Sequence, residues 1–163
     1  MRTRRARPED LAEAGEVTVA AYAEHTAGDQ DGYSDLLRDA ARRDREAEVW
    51  VATPDDSEEI LGTVTICPEG SQWREVAQPG EGEFRALAVK PGARGQGVGA
   101  TLLGLVVERF RAEDASRIVM STQAGMHAAQ HLYEAAGFVR APERDWSPAA
   151  GVDLLGYRLE LGS

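Results

Sequence analysis

The stretch "LAVKPGARGQGVGATLL", residues 87–103, places four glycines and an arginine within positions 92–99, between an apolar run and a segment of helical periodicity. A strand that runs into a glycine-rich turn and then a helix presents bare backbone N–H groups beside the positive end of the helix dipole. Phosphate binds at such places. Side chains there would fill the space an anion needs, and glycine turns the chain at least steric cost.

Three phosphate-loop patterns compete for these residues. A P-loop requires Lys and then Ser or Thr after G-x4-G, but Gly92 and Gly97 are followed by Val98 and Gly99, which excludes it. Gly95, Gly97 and Ala100 fit the dinucleotide pattern G-x-G-x-x-A. However, the apolar run ends near Val89, several residues too early, and positions 117–121 hold no acidic residue to bind a ribose. The loop also lies past mid-chain, whereas a dinucleotide-binding fold usually opens with it. The third pattern, R-x-x-G-x-G, is fitted by Arg94, Gly97 and Gly99.

The periodicities around the loop describe mixed α/β order in one unit of residues 1–163. Pro8, Glu9 and Asp10 open a helix continued by Leu11, Ala14, Val17, Thr18 and Ala21, and Tyr33, Leu36, Leu37, Ala40 and Ala41 suggest a second. Residues 48–52 and 60–67 read as strands joined by a hairpin turn, and 68–82 as a long loop of the kind usually kept for function. A strand over 83–89 precedes the glycine loop. The helix after it carries Val98, Leu102, Val106 and Phe110 on one stripe. Residues 117–122 form a strand, 126–137 a helix with Met126, Ala129, Leu132, Tyr133 and Ala136 on one face, and 155–161 a half-buried strand.

The formal net charge of −10 argues against sequence-independent nucleic-acid binding, which depends on neutralising phosphates. The same charge favours cationic partners, although an acidic surface also serves solubility alone. No segment has the length of a membrane span, the basic N-terminus lacks an apolar signal core, and Cys67 is the single cysteine. A cytoplasmic location without membrane attachment is the expectation. A polyanion bound to this chain needs a local device that overcomes the overall field.

"LAVKPGARGQGVGATLL" followed by "LYEAAGFVRAPERDW" resembles the GNAT superfamily of acyl-CoA-dependent N-acyltransferases. The two motifs match in residue type, order and spacing, and the resemblance covers essentially the whole chain. It implies a single-domain α/β fold: a mixed, mostly antiparallel sheet flanked by helices, with a splayed central strand pair. It implies acetyl-CoA as cosubstrate, its pyrophosphate cradled by the backbone of Arg94, Gly95, Gln96, Gly97, Val98, Gly99 and Ala100. Its pantothenate arm would enter the splay between 83–89 and 117–122 and pair, like an added strand, along Leu87, Ala88 and Val89, with the Leu87 N–H as oxyanion donor.

The implied chemistry is attack of a primary amine, which the charge suggests is cationic, on the thioester. Tyr133, in L-Y-x-x-x-G-F, matches the tyrosine that protonates the departing thiolate; on periodicity alone it is equally a core aromatic. Glu83 stands where several members carry a general-base glutamate, while others use a water chain. His127 and His131 have i, i+4 spacing but no third ligand, so no metal is expected. Cys67 has no partner histidine nearby in sequence, and Trp146 is assigned to packing or a pocket wall. The acceptor is expected to be shaped by the Tyr33 region, the 68–82 loop and the C-terminal hairpin. The protein is expected as a monomer or homodimer, and the alternative reading is a CoA-binding regulatory module without turnover.

Overall fold

In the computed structural model, which describes residues 1–23 and 33–162, the strands are β1 (Arg2–Arg5), β2 (Glu48–Thr53), β3 (Gly62–Cys67), β4 (Gly82–Val89), β5 (Arg117–Gln123), β6 (Val139–Arg140), β7 (Trp146–Ala149) and β8 (Val152–Glu160). The amphipathic runs become α1 (Leu11–Tyr22), α2 (Tyr33–Arg38), α3 (Ala40–Glu46), α4 (Val98–Ala112) and α5 (His127–Ala135). The sheet order is β1-β2-β3-β4-β5-β8-β6, with β7 on β8. Every pairing is antiparallel except that of β4 with β5, which is parallel.

Helices cover both faces of the centre, which is why β3 is buried along its whole length. On one face the α4 stripe of Val98, Leu102, Val106 and Phe110 packs on Val64, Ile66, Phe84 and Ile118. On the other, Ala14 and Val17 of α1 with Leu37 and Ala40 pack on Val49 and Val51. Each large apolar side chain so buried contributes about 1.5–3 kcal/mol. Gly82 permits the α4 contact, since the ring of Phe110 lies 2.5 Å from where a Cβ would stand.

The site is positioned by one irregularity in β4. Thr65 pairs with Arg85 but Thr63 pairs with Ala88, so β4 carries one residue more than β3 over this span. The bulge places Ala86 at φ 53, a left-handed conformation uncommon outside glycine. Beyond it, Lys90 N–H donates to Leu61 O at 2.8 Å. By the alternation of an antiparallel ladder, Ala88 therefore turns its N–H and C=O to β3, and Leu87 and Val89 turn theirs away from it. On that side β5 is no longer a partner: β4 and β5 pair only at Gly82↔Ile118 and Glu83↔Val119 and then diverge. The main chain of Leu87 and Val89 thus faces a wedge-shaped gap.

Several boundaries differ from those expected. The basic stretch Arg2–Arg5 is an edge strand, because its arginines are held by acids; Arg4 binds Asp10 at 2.6 Å and Arg5 binds Asp44 at 2.8 Å. The expected second helix is two, α2 and α3, divided at Asp39, whose carboxylate accepts Arg42 N–H at 3.0 Å and caps α3. Met126 lies just before α5 rather than within it. β6 and β7 are too short to show a period. Among the described residues, no helix is long and apolar enough to cross a membrane.

Candidate active site

The glycine loop leaves β4 through a 3-10 turn at Pro91–Ala93 and enters α4 at Val98. Gly95 and Gly97 take φ +81 and +83, and nothing lies within 4 Å of where their Cβ atoms would stand. They serve conformation and open space. Gly99 serves packing, with the Leu132 side chain of α5 2.7 Å from a Cβ position. Gly97, at the N-cap of α4, offers no side chain to its first turn, so the N–H groups there have no intrahelical acceptor. A bare, positive concavity of this kind fits a pyrophosphate.

The loop closes one end of a cleft of about 560 Å³. Of the residues expected on the cofactor, Leu87, Ala88, Val89, Arg94, Gly95, Gly97, Val98, Gly99 and Ala100 line it. Gln96 does not; it borders a separate hollow with Lys90 and Asp55. The facing wall comes from Met126, just before α5, and from the start of that helix, including the exposed His127.

A second cavity, of about 80 Å³, brings Glu83 and Tyr133 together. The two spaces share Tyr22 and Met126. Tyr22, at the end of α1, donates its hydroxyl to the Leu87 carbonyl at 3.2 Å. No motif marks it, and its position on an amphipathic helix is the only signal the sequence offers. Trp73 on the wall belongs to the 68–82 loop expected to shape the acceptor, though no residue of that loop was singled out, and Arg85 was missed; Arg85 lies over the Trp73 ring at 5.0 Å and pairs with Glu75 at 3.1 Å. The side chain of Tyr33 lies outside the described residues.

Glu83 is 2% exposed. Its Oε1 accepts N–H groups from Glu75 (3.1 Å), Val76 (3.0 Å) and Ala77 (2.9 Å), and its Oε2 accepts Glu75 N–H at 3.0 Å. Burial pushes its pKa above the ordinary carboxylate value; the three amides oppose that shift without cancelling it. Tyr133 sits in an aromatic cluster with Phe84 at 5.9 Å, Phe138 at 6.1 Å and Tyr157 at 6.2 Å. Burial raises its phenol well above the usual range, and among the described residues its hydroxyl has no hydrogen-bond partner.

The other candidates stand apart. The Cys67 thiol is buried and pushed up to about 12, by burial first and then by the Glu83 carboxylate, which makes it a poor nucleophile. His131 is exposed, and no group of three or more metal-ligating side chains occurs among the described residues. Trp146 donates its indole N–H to Ser121 Oγ at 3.3 Å, on the β5 side of the second cavity.

The model of the acetyltransferase (GNAT) family matches residues 16–138, a span holding the glycine loop, the β4 bulge and Tyr133. This chain belongs to the GNAT family. A mycothiol acetyltransferase from Cellulomonas flavigena is 30% identical over 154 residues, covering 85% of this chain and 42% of that protein. The chain thus spans less than half the length of the curated relatives it matches. Among solved structures, a GNAT acetyltransferase from Staphylococcus aureus Mu50 superposes with a TM-score of 0.77 at 17% identity, over 98% of each chain. Salmonella typhimurium YncA, solved with its cofactor acetyl-CoA, gives 0.66 at 21% identity, over 99% of this chain and 94% of that one. The GNAT fold therefore accounts for the mixed sheet with its parallel β4–β5 pair.

Proposed function

We propose that this GNAT protein acts as a single acetyltransferase domain, moving an acetyl group from acetyl-CoA to a primary amine by direct attack in a ternary complex. The observation that carries the reading is the meeting of the two spaces beside Leu87. One is a long cleft ending in a bare phosphate cradle, the other a small chamber holding a buried carboxylate and a buried phenol.

The backbone of Arg94, Gly95 and Gly97–Ala100 holds the pyrophosphate, a local device that lets a chain of net charge −10 bind a polyanion. The main chain of Leu87 and Val89, turned into the splay, pairs with the pantothenate arm as an added strand does. The Leu87 N–H stabilises the oxyanion. As the amine nitrogen bonds to the acyl carbon, the C–S bond breaks. The proton leaving nitrogen passes to Glu83, directly or through water. The thiolate receives the proton of Tyr133, which burial keeps on the phenol at neutral pH.

Glu83 retains acceptor capacity at Oε2, and its raised pKa suits a base better than an exposed carboxylate would. The overall charge favours a cationic acceptor, and the cytoplasm is the compartment proposed. The Cys67 thiol is too deeply held for a ping-pong route. Titration with acetyl-CoA, followed by thiol release in the presence of an amine panel, tests the proposal. Binding without turnover on any amine would favour a regulatory CoA-binding module, and absence of binding would remove the reading.

A further inference from the structure

Tyr22 is held at both ends. Its ring is packed in the core between α1 and the sheet, 9% exposed, while its hydroxyl is fixed on the Leu87 carbonyl at 3.2 Å. In an extended strand the N–H and C=O of one residue point to the same side. The carbonyl that tethers Tyr22 therefore lies beside the Leu87 N–H assigned to the acyl oxygen. A thioester held there brings its acyl carbon against the phenol, at the boundary between the two cavities.

Resting on the acetyltransferase reading, we infer that Tyr22 sets the length of the transferred acyl group, admitting acetyl and excluding longer chains. Met126, the other residue common to both spaces, is unbranched and yields readily; the tethered tyrosine is the stiff wall. An acyl chain that grew past it would enter the chamber of about 80 Å³ that the amine has to occupy. Each added methylene is then disfavoured by about tenfold or more.

Calorimetric titration with CoA, acetyl-CoA, propionyl-CoA and butyryl-CoA tests this without knowledge of the acceptor. The wild-type protein should bind acetyl-CoA about tenfold or more tightly than propionyl-CoA and about a hundredfold or more tightly than butyryl-CoA. Tyr22→Ala should abolish or reverse those ratios, and Tyr22→Phe, which keeps the ring, should retain them. Free CoA, which carries no acyl group, is the reference within each protein: affinities are compared as ratios to it, and measurable binding of it reports folding. If the alanine variant fails that control, Tyr22→Leu carries the same comparison. Equal affinity of the wild type for acetyl-CoA and butyryl-CoA overturns the inference alone, as does unchanged discrimination after truncation of the ring. Failure of the wild type to bind any of the four removes the acetyltransferase reading and the inference with it.

Discussion

Arg144 grips Glu81 on both carboxylate oxygens, at 2.8 and 2.7 Å, and so ties the segment before β7 to the residue preceding β4. Arg117 adds a bond at 2.8 Å and Gln78 N–H another at 2.9 Å. Burial by itself would raise the pKa of Glu81; these bonds together outweigh it and hold the value at about 2.

A carboxylate whose folded pKa is depressed contributes stability that is fully present above its unfolded pKa and is lost as pH falls through the folded value. Glu81→Gln should therefore lower the unfolding midpoint at pH 7, and its deficit relative to wild type should shrink between pH 4.5 and about 2. Urea melts of both proteins across that range provide the check; a deficit independent of pH would mean that packing, not charge, holds this junction.

Gly97→Glu should abolish acetyl-CoA binding. The left-handed backbone at φ +83 disfavours any side chain, and the added carboxylate would stand in the phosphate cradle. Losing one or two charge-assisted contacts of about 1.5–3 kcal/mol each weakens binding tenfold or far more. Gly97→Ala meets no neighbouring atom within 4 Å, so it should cost only the backbone strain, measurable as a modest loss in calorimetric affinity.

Tyr133→Phe removes a hydroxyl that has no protein partner among the described residues and leaves the aromatic cluster intact. Stability should change by less than about 0.5 kcal/mol. The turnover number should fall by about a hundredfold while acetyl-CoA affinity stays near wild type. Unaltered turnover would leave this residue as a core aromatic only.

Glu83→Gln should lower kcat/KM for the amine and also loosen the 75–77 loop, because its carboxamide cannot accept on both atoms as the carboxylate does. If Glu83 is the base, the acidic limb of the kcat/KM profile should disappear in the variant. That limb lies above the ordinary carboxylate range, since burial raises the group. The sign for folding is opposite to that of Glu81. A raised pKa contributes stability below the unfolded value that is lost as pH rises through the folded one. An unaltered profile would assign deprotonation to water or another residue.

The glycine loop and the α4 stripe were legible in the sequence because each is local: positive φ and helical period leave marks within a few residues. The Tyr133 pattern was legible through its resemblance to a family. The chamber was not. Tyr22 and Leu87 are 65 residues apart, and Glu83 is engaged by amides of Glu75, Val76 and Ala77, whose side chains give no hint of it. Backbone donors carry no signature in residue type. The β1 strand left no mark for a related reason: its residues Arg2–Arg5 carry no apolar alternation, and what fixes its arginines on a sheet edge is a set of acids, of which Asp44 and Glu58 lie far away in sequence.

The extra residue in β4 makes this strand more sensitive to its length than to its side chains. Leu87 and Val89 present only main-chain atoms to the gap, so many apolar replacements at those positions preserve what they offer. Removal of Ala86 would restore a regular ladder with β3, in which Leu87 stands opposite Val64 and Ala88 stays opposite Thr63. Every named side chain would survive and Leu87 and Val89 would still turn away from β3, yet the bend that the bulge puts into β4 would be lost, and with it the lead of that strand away from β5. Drift is thereby constrained at β4 by counting rather than by chemistry.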